Sequence, residues 1–150
     1  MGAEVYMFTT SPSKMEDGKR LGADHFILSK DPEQMKAAAG TLDLILDTVS
    51  ADHNISDYMS CLHYDGTLVL LGLPVNSISL YPTDIIFGNR ALAGSNIGSI
   101  QETQEMIDFC AQHGVVVDYE LIEPTYINEA LERLHNSDVK YRFVIDTQKI

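Results

Sequence analysis

Apolar residues in this chain come in short dense runs, separated by polar stretches that carry helical spacing. Ala3–Phe8 reads as a strand, with Val5, Tyr6, Met7 and Phe8 contiguous, and Thr-Thr-Ser-Pro-Ser-Lys follows at once. Pro12–Leu21 predicts a helix: Ser11 can cap it, Pro12 suits its first turn and Gly22 ends it. His25–Leu28 is a short strand, Pro32–Ala39 a helix closed by Gly40, and Leu42–Asp47 (LDLILD) a buried strand. Ile55–Cys61 predicts a short helix, and Asp65-Gly66 a turn into the strand Thr67–Leu71 (TLVLL). Asp84–Gly88 reads as a helical turn and Ala91–Asn96 as a strand. Gln101–His113 places Met106, Ile107, Cys110 and Ala111 at helical spacing. Val115–Leu121 predicts a strand, Ile127–Leu134 an amphipathic helix and Tyr141–Ile145 a final strand.

Strand–helix alternation with nearly continuous apolar strands implies an α/β fold: a parallel sheet covered on both faces. Such sheets take ligands at the carboxyl ends of their strands, near a switch in strand order. The residues of interest are therefore Thr9–Lys14, Thr48–Ser50, Gly72–Pro74 and Ser95–Ile97. The glycine fingerprint GxGxxG, which opens a dinucleotide-binding fold after its first strand, has no match here. The chain starts one step before its first strand, and Met1-Gly2-Ala3 reads as the end of a lost helix.

The 150 residues suffice for one domain with a sizeable core, and 45% hydrophobic with 21% charged residues is ordinary for a globular protein. A formal net charge of -12 argues against a nucleic-acid backbone or an anionic membrane as partner. No apolar run has the length of a membrane span, and the N-terminus lacks the features of a secretory signal. Cys61 and Cys110 lie outside any CxxC or metal-spaced pattern, are expected on core helix faces, and fit a reducing cytoplasm. His25, His53, His63, His113 and His135 show no paired metal spacing and read as surface or loop residues. Asp24 precedes its strand and Asp47 ends one, so neither is assigned an acid–base role.

A small phosphorylated ligand would need a local basic site against the acidic field. Thr9, Thr10, Ser11 and Lys14 supply one: hydroxyls and an ammonium, with no acid until Glu16. These groups satisfy phosphate oxygens by charge-assisted hydrogen bonds, and a helix start at Pro12 adds N–H groups and a favourable dipole. The same residues also read as a helix cap followed by an exposed lysine.

The segments GAEVYMFTTSPSK, LGADHFILSKDPEQMKAAAGTLDLILDTVS, DGTLVLLGLP, LAGSNIGSIQETQEMIDFCAQHG, INEALERL and SDVKYRFVID occur in this order. Together they resemble the zinc-type medium-chain alcohol dehydrogenases, in the cinnamyl alcohol dehydrogenase branch. The resemblance spans almost the whole chain and corresponds to the second half of such an enzyme, from the second Rossmann strand to the C-terminus. It implies a partial Rossmann-type, doubly wound parallel sheet lacking the first strand and its glycine turn. It implies hydride transfer between NADP(H) and an alcohol or aldehyde whose oxygen is polarised by a catalytic zinc. The zinc ligands and the structural four-cysteine site belong to the half not seen here, so this chain would hold no metal and supply no reacting group.

The resemblance also implies roles for residues. Thr10, Ser11 and Lys14 match the serine-rich run and lysine of NADP-binding members, which distinguish a 2'-phosphate from the bare ribose that an acid would select. Thr48 and Val49, with Ser50, would line the nicotinamide side of the cleft, although a plain strand exit fits them too. Gly72, Leu73 and Pro74 would lie near the nicotinamide ribose, or form an ordinary turn. Ser95, Asn96 and Ile97 would hold the carboxamide, and Arg142 would reach the pyrophosphate unless it makes a surface ion pair. The strand Ala91–Asn96 would pair with its counterpart in a second subunit, and an apolar edge strand gains from such cover on its own account.

In the usual order 3-2-1-4-5-6 the missing strand is central, so Ala3–Phe8 and Leu42–Asp47 lose a shared neighbour. They pair directly, or a second chain fills the gap, or a separate piece does. The isolated chain is expected to be inactive. A non-catalytic dimeric binding protein of the same fold, or a flavodoxin-like regulatory domain, are the competing readings. The flavodoxin-like one does not account for the ordered segments.

Overall fold

A computed structural model describes residues 1–136 and 138–149. The elements alternate as expected: β1 Tyr6–Thr9, α1 Met15–Arg20, β2 His25–Leu28, α2 Pro32–Ala37, β3 Leu42–Asp47, α3 Ile55–Cys61, β4 Leu62–Leu70, α4 Pro82–Ile86 and β5 Ala91–Gly94. Then follow α5 Ile100–His113, β6 Glu120–Ile122, α6 Ile127–His135 and β7 Phe143–Ile145. All strand pairs are parallel. The chain divides into two compact units, Met1–Asn96 and Ile97–Ile150.

In the first unit the sheet is split. β1 pairs with β2, and β3, β4 and β5 pair in that order, but β1 and β3 do not pair. Direct pairing, the first of the three ways to fill the gap, is therefore not what the chain does. One core nevertheless spans both pieces: Ile27 of β2 clusters with Leu42 and Ile45 of β3, Ile55, Met59 and Cys61 of α3, and Leu62 and Leu68 of β4. Met59 and Leu68 are 0% exposed, and burying each such side chain contributes about 1.5–3 kcal/mol. The strand period of two then dictates the other face: Leu44 and Leu46, alternating with Ile45, are 56% and 60% exposed.

Local chemistry accounts for most helix ends. Asp31 caps α2 by accepting from the Glu33 and Gln34 N–H groups, and Asn54 caps α3 by accepting from Ser56. Gly18 lets α1 lie on β1 and β2, because a Cβ there would stand 2.5 Å from Met7 Sδ and 2.6 Å from the Phe26 ring. In the second unit, Ser99 and Glu102 form a reciprocal capping box for α5, and Gly114, at φ 65°, closes it. Arg133 of α6 is bidentate to Glu120 of β6 at 2.8 and 3.1 Å, bonds Asp138 at 3.1 Å and lies 5.0 Å from the Phe143 ring centre of β7. Those carboxylates raise the Arg133 pKa further above its already high value, Glu120 contributing most.

Several boundaries differ from expectation. The helix expected over Pro12–Leu21 is a 3-10 turn at Pro12–Lys14 followed by a six-residue helix, and the Ser11 side chain does not cap it but bonds Ser13 Oγ at 2.8 Å. The dipole at this end is correspondingly smaller than that of a continuous helix. The Asp65-Gly66 turn lies inside β4 as a bulge: the partners of Leu42 and Leu44 are Leu62 and Thr67, and Asp65 takes a left-handed φ of 63°. The strand expected over Val115–Leu121 is confined to Glu120–Ile122, because only three residues of β7 pair with it. Cys61 is in the core, where burial chiefly pushes its thiol pKa up, while Cys110 is only partly covered rather than a core residue.

Candidate functional site

The carboxyl ends of β1, β3, β4 and β5 carry the groups of interest. After β1, Thr9 is buried and its hydroxyl is spent locally, donating to the Ser11 carbonyl at 3.1 Å and accepting from the Ser11 N–H at 3.2 Å. That turn presents Thr10, Ser13 and Lys14 to solvent, with Ser11 half-buried beside them. The Lys14 N–H donates to the Ser11 carbonyl at 3.2 Å, while among the described residues its ammonium has no hydrogen-bond or ion-pair partner.

After β3 the chain is braced. The Asp47 backbone carbonyl accepts from both Leu71 and Gly72 N–H, at 2.8 and 2.9 Å. Its carboxylate accepts from the Val49 N–H at 3.0 Å through Oδ1 and contacts His53 Nε2 at 2.9 Å through Oδ2. Thr48, Val49 and Ser50 are exposed on this brace. Ser50 Oγ in turn accepts from the Leu73 N–H at 3.2 Å.

Gly72 explains why the two turns meet. A Cβ there would stand 2.3 Å from the Val49 carbonyl oxygen and 2.5 Å from its carbonyl carbon, so the absent side chain makes room for backbone of this chain. Pro74 lines a cavity of about 420 Å³ with Asp52, His53, Asn54, Asn76 and Ile78 among its neighbours. Asn76 Nδ2 donates to Asp52 Oδ2 at 2.5 Å, which ties the loop after β4 to the loop after β3.

After β5, the Ser95 N–H donates to the Leu70 carbonyl at 3.1 Å, and Asn96 is exposed. The structure thus brings Thr48–Ser50 and Gly72–Pro74 into direct contact and places Ser95 next to the end of β4. Ile97 and Arg142 belong to the second unit, where both are exposed and the Arg142 carbonyl accepts from the Glu120 N–H at 2.9 Å.

Sequence reasoning missed His53. It lies in a loop as expected, but its side chain is only 18% exposed and meets Asp47, itself 9% exposed. The available signal was an aspartate at a strand exit with a histidine six residues on, a spacing that identifies nothing until the loop path is known.

The family resemblance also raises a catalytic zinc. Among the described residues no three His, Cys, Asp or Glu side chains are arranged to hold a metal ion. The described residues therefore do not fit a zinc ion. No described helix is long and apolar enough to cross a membrane.

Comparison with known proteins places this geometry. A family model, Zinc-binding dehydrogenase, matches residues 1–112. The chain is 49% identical to a probable mannitol dehydrogenase of Medicago sativa, over 97% of this chain and 41% of that protein. It is 51% identical to the NADP-dependent alcohol dehydrogenase C of Mycobacterium bovis, over 97% of this chain and 42% of that protein. Among solved structures, a cinnamyl alcohol dehydrogenase of Sorghum bicolor superposes with a TM-score of 0.92 at 45% identity, over 97% of this chain and 41% of the other. The Helicobacter pylori CAD complexed with NADP(H) superposes at 0.85 with 37% identity, over 99% and 42%. The chain spans about two fifths of the length of these relatives and matches their C-terminal half. Parallel α/β layering, ordered strand exits and this sequence identity together show that the chain belongs to the zinc-binding dehydrogenase family and carries the Rossmann-like C-terminal domain of its alcohol dehydrogenases.

Proposed function

We propose that this chain is the NADP(H)-holding part of a zinc-dependent alcohol dehydrogenase or aldehyde reductase, and that alone it turns over no substrate. The observation that carries the reading is the end of β1. Hydroxyls of Thr10 and Ser11 and the unpartnered Lys14 ammonium stand together, with no carboxylate before Glu16 to repel a 2'-phosphate. That NADP stands in the names of relatives near half-identical to this chain supports it.

When bound, the nicotinamide would give or take hydride. The chain's own residues would orient it. Thr48, Val49 and Ser50, with Gly72, Leu73 and Pro74, form one continuous surface for the nicotinamide end. Ser95 and Asn96 would offer backbone groups to the carboxamide. A second copy is expected along β5, whose free edge exposes Ala91, Ala93 and Gly94. The absence of a metal-holding cluster among the described residues is compatible with a second reading, a non-catalytic dimeric binding protein.

Titrating the chain with NADPH and following nicotinamide fluorescence tests the proposal, and saturable binding is expected. Lys14→Glu should weaken NADPH binding about 10- to 100-fold and leave NADH binding nearly unchanged. Equal losses for both coenzymes, or no binding of either, would overturn it. Turnover of an aldehyde by the pure chain with NADPH and zinc would overturn the claim of inactivity.

A further inference from the structure

His53 does more than fill its loop. Nε2 lies 2.9 Å from Asp47 Oδ2, and Nδ1 lies 2.8 Å from the Ala51 carbonyl oxygen. Its ring meets Tyr58 edge-on at 5.4 Å, and Tyr58 meets Phe8 at 5.1 Å. Phe8 directly precedes Thr9. Asp47, His53, Tyr58 and Phe8 therefore form an unbroken line of contacts from the exit of β3 to the exit of β1, the strands that do not pair.

We infer that His53 is a positioning residue that holds the turn Thr48–Ser50 in its cofactor-receiving shape, by bracing the carboxylate that binds the Val49 N–H. The inference rests on the proposed role of that turn in lining the nicotinamide end. Both partners of the ring are hydrogen-bond acceptors, so both contacts are met together only when each ring nitrogen carries a proton. The neutral ring meets one and leaves the other as two facing acceptors. The titratable groups around the imidazole are Asp47 from β3, Asp52 from its own loop and Tyr58 from α3. The facing loop after β4 contributes the uncharged Asn76, Ser77 and Ser79.

The test follows the exchange protection of the Val49 amide by NMR on the ¹⁵N-labelled chain. His53→Phe keeps a ring against Tyr58 but removes both donors. It should lower the Val49 protection factor about tenfold while the β4 amides keep theirs, and weaken NADPH binding about tenfold; His135→Phe should change neither. Unchanged Val49 protection, or full NADPH affinity, in His53→Phe would overturn the inference alone. Absence of NADPH binding in every variant would overturn the cofactor reading and with it this use of His53; the protection data judge the brace without any ligand.

Discussion

The exits of β1 and β3 are two ends of one proposed cofactor surface, built in opposite ways. At β1 the Thr9 carbonyl accepts from the Ser29 N–H at 2.9 Å, but the hydroxyl contacts are local: Thr9 to Ser11 and Ser11 to Ser13, each two residues apart, with the Lys14 ammonium left free in solvent. At β3 they are long-range or buried: Asp47 to Leu71, Gly72 and His53, and Gly72 against the Val49 backbone. On the proposed reading the first end would read charge and the second would set shape. A charge-reading end can change its side chains with little effect on the fold, because little rests on them. A shape-setting end cannot, because its backbone is in contact with another strand's exit.

Gly72→Ala should give the largest effect. The added Cβ meets Val49 backbone that no side-chain rotation can clear, so a loss of about 1–3 kcal/mol is expected in urea unfolding. An unchanged midpoint would show that the β3 end is as tolerant as the β1 end. Lys14→Glu should leave that midpoint within about 0.5 kcal/mol, since the side chain is exposed and unpartnered. A clear destabilisation would make the β1 end structural after all.

The smallest effect lies in neither end and sets a baseline for exposed, local contacts. The Ser99 N–H, donating to Glu102 at 2.6 Å, holds the Glu102 carboxyl below the usual carboxylate range, with the Ser99 hydroxyl adding to it. A lowered folded-state value means the contribution is present above the ordinary carboxylate pKa. It is lost as pH falls through the lowered one. The Ser99 amide should therefore exchange faster, relative to its intrinsic rate, as the solution is acidified through that window. Glu102→Gln, which takes away the ionisable carboxyl, should remove the pH dependence.

Much of this was legible in order and type along the chain. Asp31 followed by Pro32, Asn54 before Ile55, and Ser99 with Glu102 announce helix starts, since a cap and its target lie within three residues. LDLILD announced a strand, although its two faces differ: Ile45 is in the core while Leu44 and Leu46 are exposed. The Val115–Tyr119 run failed as a strand because β propensity needs a partner, and β7 offers one only from Phe143.

Residues a few positions apart settled the alternation of elements, the caps of α2, α3 and α5, and the hydroxyl-and-ammonium cluster after β1, though not a Ser11 cap. Only the tertiary structure decided that β1 and β3 stay unpaired within one core, that Gly72 serves Val49, and that His53 reaches Asp47. Those facts depend on how non-adjacent exits meet in space, and a distance between two loops is a property of the packed core rather than of either loop's composition.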